Sequence, residues 1–137
     1  MSHARARRAI EVKLDAWADA KGIMIAHGAE PFSPPEGQIY LHAFLLPAST
    51  TCRFLNASEL EYRGIYQVSI VTPADQLISV PEQILDELSA LFPLDSSLER
   101  AGFLGLVSNP VEQGPTITEP DRYTVPASFT YRGSAPP

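Results

Sequence analysis

Apolar residues recur at helical spacing through the first stretch of the chain. Ala6, Ile10, Leu14 and Trp17 succeed one another at intervals of four, four and three, so they share one face of a helix predicted over residues 3–21. Ser2 stands where an N-cap belongs, and Gly22 where a helix-ending glycine belongs. Glu11 and Asp15, together with Arg7 and Arg8, read as i,i+4 charge pairing on the solvent side. The period then changes. Residues 23–26 are a short β-prone run. Residues 39–47 hold Ile39, Tyr40, Leu41, Ala43, Phe44, Leu45 and Leu46 before Pro47, a strand apolar on both faces and so covered on both by protein. Residues 61–72 form a longer strand, with Tyr62, Tyr66, Val68 and Ile70 on one face. Arg63, Gln67 and Ser69 share the other with Ile65 and Val71, and Pro73 ends it.

A second helix is predicted over 79–92, with Ile84, Leu85, Leu88, Leu91 and Phe92 as its core stripe and Asp86 and Glu87 facing out. Ser79 and Glu82 have capping-box spacing, Pro81 fits the first turn and Pro93 closes the helix. Two more strands are predicted, at 102–108, apolar at Phe103, Leu104, Leu106 and Val107, and at 122–132. In the last strand Tyr123, Val125, Ala127, Phe129 and Tyr131 alternate with Arg122, Thr124, Ser128, Thr130 and Arg132. Pro126, which has no N–H, places it at an edge or marks a bulge. Two proline-rich loops are expected, at 28–38 and 109–121. The order α-β-β-β-α-β-β predicts an α+β fold: two helices packed on one face of a mostly antiparallel, or mixed, β-sheet. One domain over residues 1–133 and a disordered tail at 134–137 complete the expectation.

Composition narrows the function. The chain has 137 residues, 45% hydrophobic and 19% charged, long enough for a core without staples. The 13 prolines are about twice the usual share of roughly 5% and mark hard stops. A single cysteine, Cys52, allows no internal disulfide and no all-cysteine zinc site. No apolar run reaches membrane-spanning length. Arg5, Arg7 and Arg8 do not open a signal peptide, because Glu11, Lys13, Asp15 and Asp19 interrupt the apolar stretch that such a peptide needs. The net charge is −6, made of +2 on residues 1–22 and −8 on the rest, and an acidic body is a poor basis for nucleic-acid binding.

Catalytic patterns are missing. Gly102 and Gly105 lack the third glycine and subsequent helix of a dinucleotide loop, and there is no G-x-S-x-G elbow. Among His3, His27 and His42, the last two could meet across neighbouring strands and bind a metal with a carboxylate; hydrogen-bonded strand-end histidines are the stronger reading. Cys52 has no base in view and reads as a structural thiol. The triplet Asn56, Ala57, Ser58 fits a glycosylation acceptor that has no secretory context, and Glu59 with Glu61 reads as a solvated pair. No catalytic, cofactor or metal residue is assigned. What stands out is surplus apolar surface: residues 39–46, Ile65 and Val71 on an otherwise polar face, and the opposed Phe103 and Leu104. Such an excess predicts either a partner surface or a small extra covering layer from the N-terminal helix or a long loop.

Three stretches carry a family resemblance: the helix from Ser2 to Ile10 leading to Leu14, Ala16 and Trp17; Pro31, Phe32, Pro34, Pro35, Gly37, Tyr40, Leu41 and Phe44 to Ala48; and Tyr62 with Gly64 to Val68. Together they resemble the tail terminator-like proteins of long-tailed phages and prophages, related to the lambda minor tail protein U. The likeness covers most of residues 2–72, and beyond them only the order of elements matches. The segment Pro73 to Ile78 lacks the glycine such a turn would carry. The resemblance implies a non-enzymatic structural protein: an α+β domain forming a hexameric ring that caps the tail tube, ends its polymerisation and provides the head-joining surface. Implied partners are further copies of the chain, the tail tube protein and head–tail connector proteins, first in the host cytoplasm and then in the virion tail. No cofactor, membrane or specific nucleic acid is implied. A ring needs unlike patches on each subunit. The candidates are the rigid loops of Phe32, Pro34 and Pro35 and of Pro115 to Asp121, and the basic cluster Arg5, Arg7 and Arg8. The alternatives are a small ligand-binding or enzymatic α+β domain with a pocket lined by Trp17, Tyr40 and Tyr66, or another head–tail completion or tail-tube protein.

Overall fold

The structure, a computed structural model, describes residues 2–29, 32–51 and 59–136. Pro31, Cys52 and the triplet Asn56, Ala57, Ser58 lie outside the described residues. The chain runs α1 (Ser2–Lys21), β1 (Met24–His27), β2 (Tyr40–Thr51), β3 (Leu60–Pro73), α2 (Ser79–Leu91), β4 (Ser97–Arg100), β5 (Phe103–Gln113), β6 (Ile117–Thr118) and β7 (Arg122–Ala135). All strands join one sheet in the order β1-β2-β3-β7-β5-β4, with β6 on β7. β1 pairs parallel to β2 and every other pair is antiparallel. The fold is α+β with a mixed sheet. Its order adds two strands, β4 and β6, to those the hydrophobic pattern marks; both are too short to show a period.

Both helices pack on the face that carries Tyr62, Tyr66, Val68 and Ile70 of β3. The stripe of α1 is buried as its spacing predicts, with Ala6, Ile10 and Leu14 fully inside. Ile84 and Leu88 of α2 are buried, and Phe92 stacks on Phe129 of β7 with ring centres 4.8 Å apart. Each large aliphatic side chain removed from water in this way contributes roughly 2 kcal/mol. Lys21 of α1 pairs with Glu87 of α2. Glu87 therefore faces the neighbouring helix rather than open solvent.

The sheet does not lie flat beneath α1; it wraps around it. The helix reaches both outer strands: Asp15 hydrogen-bonds His27 of β1 at 2.9 Å, and the Lys13 ammonium donates to the Ser97 carbonyl of β4 at 3.1 Å. Three strand glycines make room for the curvature. The Tyr131 ring lies over Gly64, and the Phe103 ring over both Gly105 and Gly133, which face each other across β5 and β7. A β-carbon at any of the three would collide with the ring. Glycine in a strand is costly in entropy, so its use here marks close approach.

Several expectations are corrected. Much of the expected loop at 109–121 is strand, because β5 continues through Gln113 on register shifts either side of Asn109 and so absorbs Pro110. Pro126 is not on an edge strand. β7 lies between β3 and β5, and the neighbouring strand is interrupted after Gln113, where the Gly114 N–H donates to the Pro126 carbonyl. β2 runs past Pro47 to Thr51 through a register shift. α2 begins after Ile78 with no side-chain cap, so the Ser79 and Glu82 spacing makes no capping box. Ser2 is the first residue of α1. β7 continues through Ser134 to a fully buried Ala135, past the point where the sequence pattern ends it.

Two substitutions test this packing. Gly64→Ala should lower stability by about 2–3 kcal/mol in denaturant melts, because Tyr131 is fully buried and has nowhere to go. Thr72 is fully buried and its hydroxyl has no partner among the described residues. Thr72→Val removes an unpaired polar atom at nearly constant shape and should raise stability by about 1 kcal/mol in the same assay.

Candidate assembly surface

The expected interface residues fall at opposite ends of the sheet. One end is formed by the start of β2, the end of β3 and the start of β7, where Tyr40, Val71 and Thr124 align. Pro34, Pro35, Glu36 and Tyr40 share an open depression there with Asp75, Asp121 and Arg122. Phe32 is half-buried, its ring 5.4 Å from that of Tyr40, so it braces the loop from beneath. The backbone stitches this end together. The Ala74 N–H donates to the Asp121 carbonyl at 3.1 Å, and the Tyr123 hydroxyl donates to the Gln76 carbonyl at 2.9 Å. Pro115 is exposed between β5 and β6.

Arg5, Arg7 and Arg8 lie at the other end, on the first turns of α1. Arg7 and Arg8 both reach Glu11, each at 3.2 Å. Glu11 is only 9% exposed, so it does not belong to the solvent face; it carries the two guanidinium groups in from outside. The helix start is pinned by His3. Its Nδ1 lies 2.7 Å from the Tyr131 hydroxyl, its Nε2 lies 3.1 Å from the Thr50 hydroxyl, and its ring meets Tyr62 edge-on. Burial lowers the His3 pKa and raises that of Tyr131, so a neutral imidazole meets a protonated phenol. Burial also raises the pKa of Tyr66, with further upward contributions from Glu11 and Asp15. The sequence marks His3 only as one of three histidines; no local pattern joins it to Thr50 or Tyr131, which arrive from distant strands.

The third region is the face of the sheet away from the helices. Tyr40, His42, Phe44 and Leu46 of β2 align there with Val71, Ser69, Gln67 and Ile65 of β3. Leu104 and Leu106 of β5 lie on the same side, opposite Ser134 and Arg132. Leu46, Ile65 and Leu104 are exposed. The surplus apolar residues predicted for a partner are therefore on the surface at these positions, whereas Phe103 turns inward and Val71 is buried.

The alternative site residues do not converge. Tyr40 is on the opposite face from Tyr66, which is buried in the core, so with Trp17 they line no common pocket. His27 is directed to Asp15 and His42 to the Gly28 carbonyl at 2.9 Å; they sit one register position apart on β1 and β2, which turns them to opposite faces. Among the described residues no three histidine, cysteine or acidic side chains are grouped to hold a metal ion. None of their helices is long and apolar enough to cross a membrane.

Because His3 is held neutral in the fold while an unfolded chain takes up its proton near pH 6.5, the unfolded state binds more protons below that value. Stability should therefore fall as the pH drops below about 6.5. Thermal melts across that range should show the loss, and His3→Gln should remove this part of the dependence.

Comparison with known proteins extends this geometry. The family description Phage tail terminator protein matches residues 5–131. A solved structure 33% identical in sequence superposes with a TM-score of 0.82, covering 97% of this chain and 96% of its own. No curated protein matches. The chain belongs to the phage tail terminator family, and so to the structural proteins of phage tails.

Proposed function

We propose that the protein ends tail-tube growth. Copies of the chain close as a homo-hexameric ring on the tube end, stop polymerisation at the finished length and leave a surface for the head–tail connector proteins. The observation that carries this reading is the match of the terminator family to residues 5–131. Membership in that family implies contacts with other tail or head–tail proteins and a place in the virion tail. Ring assembly takes place in the host cytoplasm, before the finished tail is joined to its head.

The geometry supports it in two ways. A closed ring repeats one contact between unlike patches, and this subunit has chemically different ends. The loops of Phe32, Pro34, Pro35, Pro115 and Asp121 are offered to the neighbouring copy, and stiff, stitched loops lose little entropy on docking. Arg5, Arg7 and Arg8 are offered to an acidic partner surface. The net charge of −6 disfavours adhesion to nucleic acid moving through a central channel.

Electron microscopy of the full chain, alone at high concentration and mixed with purified tail tubes, tests the reading. Six-fold rings on tube ends, with tubes of uniform length, are expected. A protein that stays monomeric up to millimolar concentration and never decorates tube ends would overturn it.

A further inference from the structure

We infer that the ring contact joins two particular patches: the helix-free surface around Leu104, Leu106 and Arg132 of one copy, and the stitched end bearing Leu77, Ile117 and Asp121 of the next. This rests on the ring reading above and specifies its contact.

Two independent features of the surface point to it. The first is apolar exposure. Leu104 is 60% exposed, Leu77 74% and Ile117 56%. They are not scattered. Leu104 shares the helix-free face with Leu106, Leu46 and Ile65, while Leu77 and Ile117 stand at the opposite end of the sheet. Grouped apolar side chains of this size mark interaction surfaces more than solitary ones do. The second is exposed charge of opposite sign that forms no ion pair among the described residues. Arg132 is exposed and makes no hydrogen bond or ion pair among the described residues. Two carboxylates that share a depression with it are engaged elsewhere, Glu61 by Arg63 at 2.7 Å and Glu99 by the Ser97 hydroxyl at 3.2 Å, and Asp95, which lines a second depression with Arg132, forms no ion pair with it. At the far end Asp121 is exposed and makes no ion pair among the described residues; the adjacent Arg122 bonds Glu119 at 3.3 Å and feels the Asp121 charge only as a smaller contribution.

Both patches are preformed. Leu104 and Leu106 are held by the β5–β7 ladder, opposite Ser134 and Arg132. Asp121 is clamped through its carbonyl by Ala74, Leu77 comes directly after a residue bonded to Tyr123, and Ile117 is paired with Thr124. The patches are separated by most of the length of β7, Arg122–Ala135, roughly 40 Å at strand rise. One copy can therefore engage two neighbours at once, handing the same contact from subunit to subunit. The apolar residues supply the buried centre, and the Arg132–Asp121 pair sets orientation and partner choice.

Charge exchange in the full-length protein tests this, read by light scattering and by counting rings in micrographs. Arg132→Glu and Asp121→Arg should each raise the concentration needed for ring assembly at least about tenfold, through loss of the pair and like-charge opposition. The double variant should recover it, because the pair is restored in reverse. Leu104→Ser should weaken assembly without recovery by either charge variant. All these side chains are exposed, so melting temperatures should stay unchanged. Wild-type rings that persist equally in both single variants would overturn the patch assignment and leave the ring standing. A two-fold dimer in place of the ring, or no wild-type assembly on tubes, would overturn both.

Discussion

The fold depends on aromatic rings lying over glycines in the central strands of the sheet. Tyr131 covers Gly64, and Phe103 covers the facing pair Gly105 and Gly133. With no β-carbon at those points the strands can bend sharply, and the sheet closes around α1 until both of its outer strands touch that helix. The rings then serve twice. Each fills the concavity that its glycine permits, and Tyr131 also receives His3, which sets where α1 begins.

The same curvature divides the surface. Closing around the helix turns the other face of the sheet outward with no helix to cover it. Leu46, Ile65 and Leu104 are left in water there. The long strands separate the ends of the molecule, so the proline-braced loops and the basic start of α1 cannot contact one another within a chain. A subunit with unlike, rigid, distant surfaces is suited to contacts with other tail or head–tail proteins. That agrees with membership in a structural family.

Much of this is legible in the sequence where a period runs long enough. The stripe of α1, the alternation of β3 and β7 and the core of α2 all appear in the structure as the spacing predicts. The departures gather where a proline reads as a stop. Pro47 and Pro110 lie inside strands because register shifts beside them remove the need for a ladder donor, and a bulge has no local signature of its own. The two-residue β6 and four-residue β4 fall below any detectable period. The charge of Glu11 points to solvent, yet the arginines that reach it let it sit against the core.

The interface divides in the same way. Pro34, Pro35 and Asp121 are separate loop residues in the sequence, and only the fold brings them to one depression. Arg132 reads as an ordinary polar-face residue until the register puts it opposite Leu106, with no ion pair among the described residues. By itself the sequence determined the α+β class, the helical stripes, the inward faces of the long strands and the family likeness. These rest on local periodicity and on residues close along the chain. The tertiary structure alone decided the parallel β1–β2 pairing, the closure of the sheet around α1, the His3–Tyr131 anchor and which charges remain unpaired. Each of these depends on residues distant in sequence meeting in space, and no local pattern encodes that meeting.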